Sequence, residues 1–422
     1  MPGFKIVNPS QRDEDVAGQN SRRYETGLVV ICFLTWGTVF LDRMSLVYLA
    51  PFLVKDLSLT HAQIGMLASA LALTWAVASL VFGVISDRVG RRPVLIPAVF
   101  AFSALSWLSG MVRTFGQLFT VRALMGIAEG PTWATLTATI EQASTPARRG
   151  RNIGIVVSAA ALVGLAVAPV LTTQIAARFG WRDAFFVVGI PGLVLGLVIW
   201  KFVREPEATE AGATHHRKLS WHDYLSLLRY RNIWLCCIAA AGFMTWLFVM
   251  NVFAPLYVTE VGKHSATFAG LVIGASGLGS FLWGWIYPAI SDKFGRKPTL
   301  IFLGLVSALV PLTYGAAFLI GHPWLMATAG FIANGGQGIA ALALVLVPTE
   351  SVPPQFAATA IGLTTLVGEI FGGVLAPTMA GAIADRSGLG APLWIASGGA
   401  ILVFAATIFL RETAPSKIGT TE

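Results

Sequence analysis

Twelve apolar stretches, each long enough to cross a bilayer, dominate this chain of 422 residues. They fall at about 27–54, 62–86, 93–112, 115–141, 152–177, 184–203, 232–258, 266–290, 298–320, 323–348, 357–384 and 391–410. A spanning helix needs about 20 apolar residues, because each residue advances about 1.5 Å across about 30 Å of hydrocarbon. The balance of residue types agrees: 55% are hydrophobic, only 12% are charged, and mean hydropathy is +0.71. A soluble chain carries about 25% charge. The composition therefore argues against a cytosolic enzyme or a nucleic-acid binder, and disorder would need low hydrophobicity and high charge. The 44 glycines and 21 prolines suit membrane helices, which tolerate both. Cys32, Cys236 and Cys237 all lie inside apolar runs and read as packing residues, with neither a disulfide nor a metal spacing. The polar stretch Met1–Arg23 has no apolar centre and does not read as a cleavable signal peptide.

The longest polar interruption, Arg204–Arg231, separates six runs from six. The expected organisation is a tail at 1–26, a six-helix bundle at 27–203, a linker at 204–231, a second bundle at 232–410 and a tail at 411–422. Within the linker, Trp221, Tyr224, Leu225, Leu227 and Leu228 alternate with His222, Asp223 and Arg229, so Ser220–Arg229 reads as an amphipathic helix on the membrane face. A structureless linker is the alternative. Lysine and arginine are strongly biased: 21 of the 29 fall on the side that carries both termini, six on the other side, and Arg43 and Arg122 inside helices. Basic residues collect on the cytoplasmic side, so both termini are expected inside the cell and the protein in the plasma (inner) membrane.

The chain repeats itself. Gly83-Val-Ile-Ser-Asp-Arg-Val-Gly-Arg-Arg-Pro93 follows the second run, and Ile290-Ser-Asp-Lys-Phe-Gly-Arg-Lys-Pro298 follows the eighth. Asp87 aligns with Asp292, an offset of 205, and Gly154 with Gly362 and Pro169 with Pro377, an offset of 208. Two halves of the same topology, related by a parallel repeat, characterise one class of secondary transporters, with the substrate site between the halves.

On these residues the chain resembles the major facilitator superfamily, over about Thr26–Arg411. The resemblance implies an all-α membrane protein of twelve spanning helices. It also implies a cytoplasmic gate built from Gly83, Asp87, Arg88, Gly90, Arg91 and Arg92, with a second copy at Asp292, Gly295 and Arg296. These groups are expected to make charge-assisted contacts across the halves in the outward-facing state. The second copy carries Pro288 where the signature has its leading glycine.

Ionisable residues inside spanning helices are costly and mark function. Asp42 and Arg43 fall midway along the first run, Arg122 and Glu129 two turns apart on the fourth, and Glu369 in the middle of the eleventh. Adjacent residues on a helix do not face one another, so Asp42 and Arg43 need partners elsewhere, and the fourth helix offers one of each sign. Two readings stand. The charges form neutral pairs that hold the bundle, or Asp42 and Glu129 carry protons while Arg43 and Arg122 hold an anion. Arginine suits the second role, because its fork grips a carboxylate through two bonds and keeps its charge.

The segments Phe40-Leu-Asp-Arg-Met-Ser45 and Arg122-Ala-Leu-Met-Gly-Ile-Ala-Glu-Gly-Pro131 resemble the anion:cation symporter branch of that superfamily. In the branch these acids are taken as proton-coupling sites and these arginines as substrate-binding or coupling residues. Phe40 departs from the asparagine–tyrosine usually found ahead of Leu-Asp-Arg, and bacterial relatives of the spinster lipid transporters share the charge layout. Further cavity candidates are Asn251, Asn334 and Gln337 as hydrogen-bonding groups, or as interhelical links. Trp36, Trp133, Tyr48 and Trp246 are candidates for an aromatic wall, or for interface belts. Glu369 reads as a third titrating group, a cation site or a partner for a polar neighbour.

Gly164-Leu-Ala-Val-Ala-Pro169 replaces the glycine–proline run of drug antiporters, Arg204-Glu-Pro-Glu207 stands where sugar porters carry their signature, and no ATP-type phosphate loop or catalytic triad is present. His215 and His216 fall in the linker. The expectation is a monomeric, non-enzymatic importer of a small organic anion such as a sugar acid, an aromatic carboxylate or a monocarboxylate. Protons are its coupling ion, with no other cofactor, no metal and no nucleic-acid partner. Export of amphiphiles, lysolipids or drugs, and a non-transporting sensor, are the alternatives.

Overall fold

The computed structural model describes residues 9–205, 227, 229–316, 322–353, 356–414 and 417, without the side chains of 9–21, 84, 87, 146, 147, 323 and 358. The amphipathic helix expected at Ser220–Arg229 lies outside the described residues, apart from Leu227 and Arg229.

Among the described residues the chain folds into twelve long helices. The first half comprises α1 (Pro9–Leu57), α2 (His61–Val89), α3 (Arg92–Met111), α4 (Phe115–Ala143), α5 (Pro146–Ala159, continuing through Ala168–Phe179) and α6 (Trp181–Phe202). The second comprises α7 (Arg231–Leu256), α8 (Ala266–Phe294), α9 (Arg296–Gly315), α10 (Pro323–Ala333, continuing to Glu350), α11 (Ala357–Gly368, continuing through Ala376–Ser387) and α12 (Gly390–Ile408). Eleven of them are long and apolar enough to cross a membrane. The exception, α4, has the length but carries Arg122, Glu129 and Glu141. Large apolar side chains cover the outside of the bundle, among them Leu80, Phe179, Trp200, Phe294 and Trp394, each exposed by more than 60%. A surface of that kind is stable only against lipid.

Local chemistry fixes the helix ends. Thr60 and Gln63 form a reciprocal capping box at the start of α2, with bonds of 3.2 and 3.0 Å. Thr114 and Ser265 accept from the third backbone N–H of α4 and α8. The repeated motif ends α2 and α8 in the same way. Gly90 and Gly295 adopt φ of +106° and +109° and return their N–H groups to Ser86 and Ser291, a conformation that favours glycine. Arg91 and Arg296 then reach back to the same serines, at 3.1 and 2.5 Å. The chain after α6 supplies Glu205, which accepts from the backbone N–H groups of Arg91 and Arg92 at 2.7 and 2.8 Å. The chain after α12 supplies Glu412, which accepts from Arg296 and Lys297 at 2.7 and 3.2 Å. A carboxylate at a helix N-terminus satisfies orphan donors and the helix dipole together.

The two halves meet along two seams. In one, α2 runs against α11: Gly65 lies on the Pro377 carbonyl, Gly381 on the His61 carbonyl, and Thr378 and Ser69 share a hydrogen bond of 2.8 Å. In the other, α5 runs against α8 through Gly270, Gly274 and Gly277, which pack on the α5 backbone. At the face opposite the repeated motif, His61 bridges the halves. Its backbone N–H and Nδ1 lie 2.9 Å from Asp385 of α11, and Nε2 lies 3.2 Å from Glu260 at the end of α7. At the motif face, ion pairs within one half include Arg148 with Glu25, Arg149 with Glu141, and Arg296 with Asp292 and Glu350.

α5 and α11 both loosen into π-helical turns in mid-helix, at Ala160–Val167 and Glu369–Leu375. These positions correspond under the 208–209-residue repeat, and both lie on the seams. Such turns collect at functional sites.

Candidate functional site

Five charges gather at the middle of the bundle. Glycines position them. Gly126 and Gly130, one turn apart on α4, leave no room for a Cβ against Leu71, Thr74, Ala78 and Ser79 of α2, and Ser79 donates to the Gly130 carbonyl at 2.9 Å. Small residues at this spacing let membrane helices approach backbone to backbone. The close approach draws Trp75 of α2 and Glu129 of α4 toward α1.

On α1, Asp42 and Arg43 are buried, at 1% and 5% exposure, and Arg122 and Glu129 at 1% and 0%. The four act on one another electrostatically. They do not pair off as helix-packing salt bridges. Arg122 Nη2 donates to the Arg43 carbonyl at 2.8 Å, and Nη1 lies 3.2 Å from Met125 Sδ. Both carboxylate oxygens of Glu129 are sealed and without a hydrogen-bond partner among the described residues, and those of Asp42 are sealed with only the Ser106 hydroxyl close by. Arg122 was expected to hold an anion beside Arg43; here two of its guanidinium nitrogens meet the Arg43 carbonyl and Met125 Sδ, and its Nε has no hydrogen-bond partner among the described residues.

Arg43 points toward the second half. Its guanidinium carbon stands 5.2 Å from the Trp75 ring centroid, 5.4 Å from Phe248 of α7 and 5.8 Å from Phe40. Its Nη2 lies 3.8 Å from Glu369 Oε2 of α11, beyond hydrogen-bond length. Aromatic faces hold a cation while leaving its N–H fork free for a ligand.

The remaining candidates divide. Trp36 and Trp133 meet, with ring centroids 4.7 Å apart and Phe40 beside them at 5.0 Å, so the first half carries an aromatic wall next to its charges. Tyr48 lies nearer the His61 end, where its hydroxyl donates to Asn251 Oδ1 at 3.0 Å across the halves. Trp246 donates to the Ser307 carbonyl at 2.9 Å inside the second half. Asn334 bonds the Ser276 carbonyl and the Gly336 N–H, both at 3.0 Å, and so ties the break in α10 to α8. Gln337 packs its Cβ on Gly284 of α8. Trp246, Asn251 and Asn334 border a cavity of about 40 Å³ with Ser276, Ser280 and Tyr314, room for one or two waters.

Of the gate residues, Gly90, Gly295, Arg91 and Arg296 occupy the matched turns described above. Gly83 accepts a hydrogen bond from Ser86 at 2.9 Å, Arg92 donates to the Trp200 carbonyl, and Arg88 is exposed. Asp292 pairs with Arg296 at 2.6 Å, while the Asp87 side chain lies outside the described residues. Two site residues escaped the sequence reading. Trp75 had a signal, a tryptophan at mid-run and far from either interface. Phe248 had none in a uniformly apolar helix.

The family model described as Major Facilitator Superfamily matches residues 31–377. A hexuronate transporter of Bacillus subtilis is 27% identical over 92% of this chain and 94% of its own length. A probable 4-methylmuconolactone transporter of Cupriavidus pinatubonensis is 27% identical over 81% of this chain and 80% of its own. Among solved structures, a bacterial homologue of the human lysosomal transporter spinster, in an inward-facing and unoccupied conformation, superposes with a TM-score of 0.69. Its identity is 20%, over 92% of this chain and 95% of that one.

Proposed function

Because the chain belongs to the Major Facilitator Superfamily, we propose that it imports a small organic anion, a sugar acid or a ring-derived carboxylate, coupled to protons. The observation that carries this reading is a cluster of buried, loosely partnered cationic and acidic groups at the seam. Arg43 stands among three rings with one loose ion pair, to Glu369 at 3.8 Å, and beside it the carboxylates of Asp42 and Glu129 are sealed, that of Glu129 without a hydrogen-bond partner among the described residues. A buried charge costs several kcal/mol unless it is compensated, so these acids need a partner, an ion or a ligand to balance them. Arg43 holds the anion, Arg122 fixes the α1 backbone that carries Arg43, and Asp42 and Glu129 move the protons.

The lysine and arginine bias sets the motif face in the cytoplasm of a plasma-membrane protein. The His61 end is then extracellular and is bridged between the halves by His61, Asp385 and Glu260. On that reading the gate of Asp87, Arg88, Arg91 and Arg92 engages the second half in the outward-facing state. The cycle runs through outward opening, protonation, docking of the anion on Arg43, closure and inward release.

The test is uptake of radiolabelled D-galacturonate into proteoliposomes under an inward proton gradient. Asp42→Asn and Glu129→Gln should each abolish gradient-driven accumulation while leaving exchange of internal for external anion measurable. Accumulation at the wild-type level in either variant removes that residue from coupling. Binding without flux would make the protein a sensor, and flux of lysolipid in place of acids would favour the spinster-like reading.

A further inference from the structure

Glu369 plays no part in the cycle above, yet it is the group nearest to Arg43 from the other half. Three features set it apart. It enters at the first residue of the π-helical turn in α11, where Gly373 would bring a Cβ against its carboxylate and Phe248. Its side chain is 8% exposed and that of Arg43 is 6%, so water compensates neither charge well. At 3.8 Å the contact is an ion pair without a hydrogen bond, and Arg43 Nη2 and Glu369 Oε2 both remain without one. Arg43 is the charged group that faces Glu369.

Removing a partner from a buried pair is costly, so the two groups hold one another for want of anything better. An incoming carboxylate that made two charge-assisted bonds at about 2.7–2.9 Å would displace so loose a partner. With Asp42 and Glu129 protonated as in the cycle above, Arg43 and Arg122 outweigh Glu369 by one positive charge, and a docked anion brings the cluster to neutral. The carboxylate displaced from Arg43 is then left buried without its counter-charge, which favours its protonation.

We propose that Glu369 is a built-in stand-in for the substrate carboxylate: it occupies Arg43 in the empty protein and yields the place, taking up a proton, when an anion binds. The proposal rests on Arg43 as the anion holder. Because Glu369 belongs to the second half and Arg43 to the first, the exchange also trades a contact between the halves for a contact with the ligand. The carboxylate returns its proton when the anion leaves and Arg43 is free again.

The test uses acetate, which needs no knowledge of the true substrate. In Glu369→Ala the place beside Arg43 is vacant, so acetate should raise the thermal unfolding temperature of this variant more than that of the wild type, where it must first displace Glu369. In the double variant Arg43→Gln/Glu369→Ala the effect should vanish. No stabilisation of Glu369→Ala, or stabilisation that persists in the double variant, overturns the proposal. Glu369→Gln provides a second arm that keeps a side chain of the same size. It should bind D-galacturonate roughly tenfold more tightly than wild type at pH 8, the worth of one displaced charge contact, and lose most of the tightening that wild type gains on acidification to pH 6. Equal or weaker binding with an unchanged pH profile refutes the competition. A wild type that binds no acid while acetate still stabilises Glu369→Ala would sink the transport reading and leave the role of Glu369 standing.

Discussion

Arg43→Lys keeps the charge and removes the fork. In the structure the guanidinium makes one ion pair, at 3.8 Å, and otherwise touches ring faces, so its N–H groups are free for a ligand. An arginine grips a carboxylate through two parallel bonds, and an ammonium at the same reach gives one directed bond. The substitution therefore costs one charge-assisted hydrogen bond, about 1.5–3 kcal/mol. It also loses part of the stacking on Trp75 and Phe248, about 0.5–1 kcal/mol. Weighted toward the lower end, because the ammonium keeps its Coulomb attraction, the sum is about 2–3 kcal/mol. At 1.4 kcal/mol per factor of ten, this is about 30- to 100-fold weaker binding. Titration calorimetry of the detergent-solubilised protein with D-galacturonate reads that number directly, with circular dichroism and gel filtration checking that the fold is retained. A dissociation constant within threefold of wild type would show that Arg43 does not hold the anion through its fork.

Two further expectations concern the frame. Asp385→Asn weakens the bridge from His61 to α11, so the far face should open more often. A cysteine at Thr378, on the α2–α11 seam, should then react faster with a membrane-impermeant thiol reagent, and an unchanged rate would remove His61–Asp385 from the closure. Glu205→Ala strips the carboxylate from two backbone N–H groups at the start of α3. The loss of such a cap is about 1–2 kcal/mol, which should appear as a lower unfolding temperature; no change would mean that water replaces the carboxylate.

The sequence makes the helices legible because hydrocarbon admits only helices or closed barrels, and length and hydropathy then mark each span. The repeat was visible for the same reason as its geometry: Gly90 and Gly295 are needed for a backbone turn that other residues disfavour. Asp42, Arg43, Arg122 and Glu129 stood out because charge in an apolar run is rare. Their relative placement did not. Which side of α4 meets α1 depends on how deeply Gly126 and Gly130 settle into α2, a packing property that no single residue states. Hence the bond from Arg122 to the Arg43 carbonyl could not be read from spacing. The matched Arg204-Glu205 and Arg411-Glu412 pairs, 207 residues apart, were readable as part of the repeat and reveal their purpose only when both carboxylates are seen on helix ends.

The paired π-helical turns have a consequence for what length changes the protein tolerates. A wide turn holds an extra residue, and one residue is about 100° of rotation in an ordinary α-helix. Deleting a single residue from 160–167 would swing Pro169 and Thr173 away from α8, and deleting one from 369–375 would swing Pro377 and Thr378 away from α2. Both helices are thus phased by their insertions, and a chain that lost one would still cross the membrane twelve times with a sealing surface turned toward lipid.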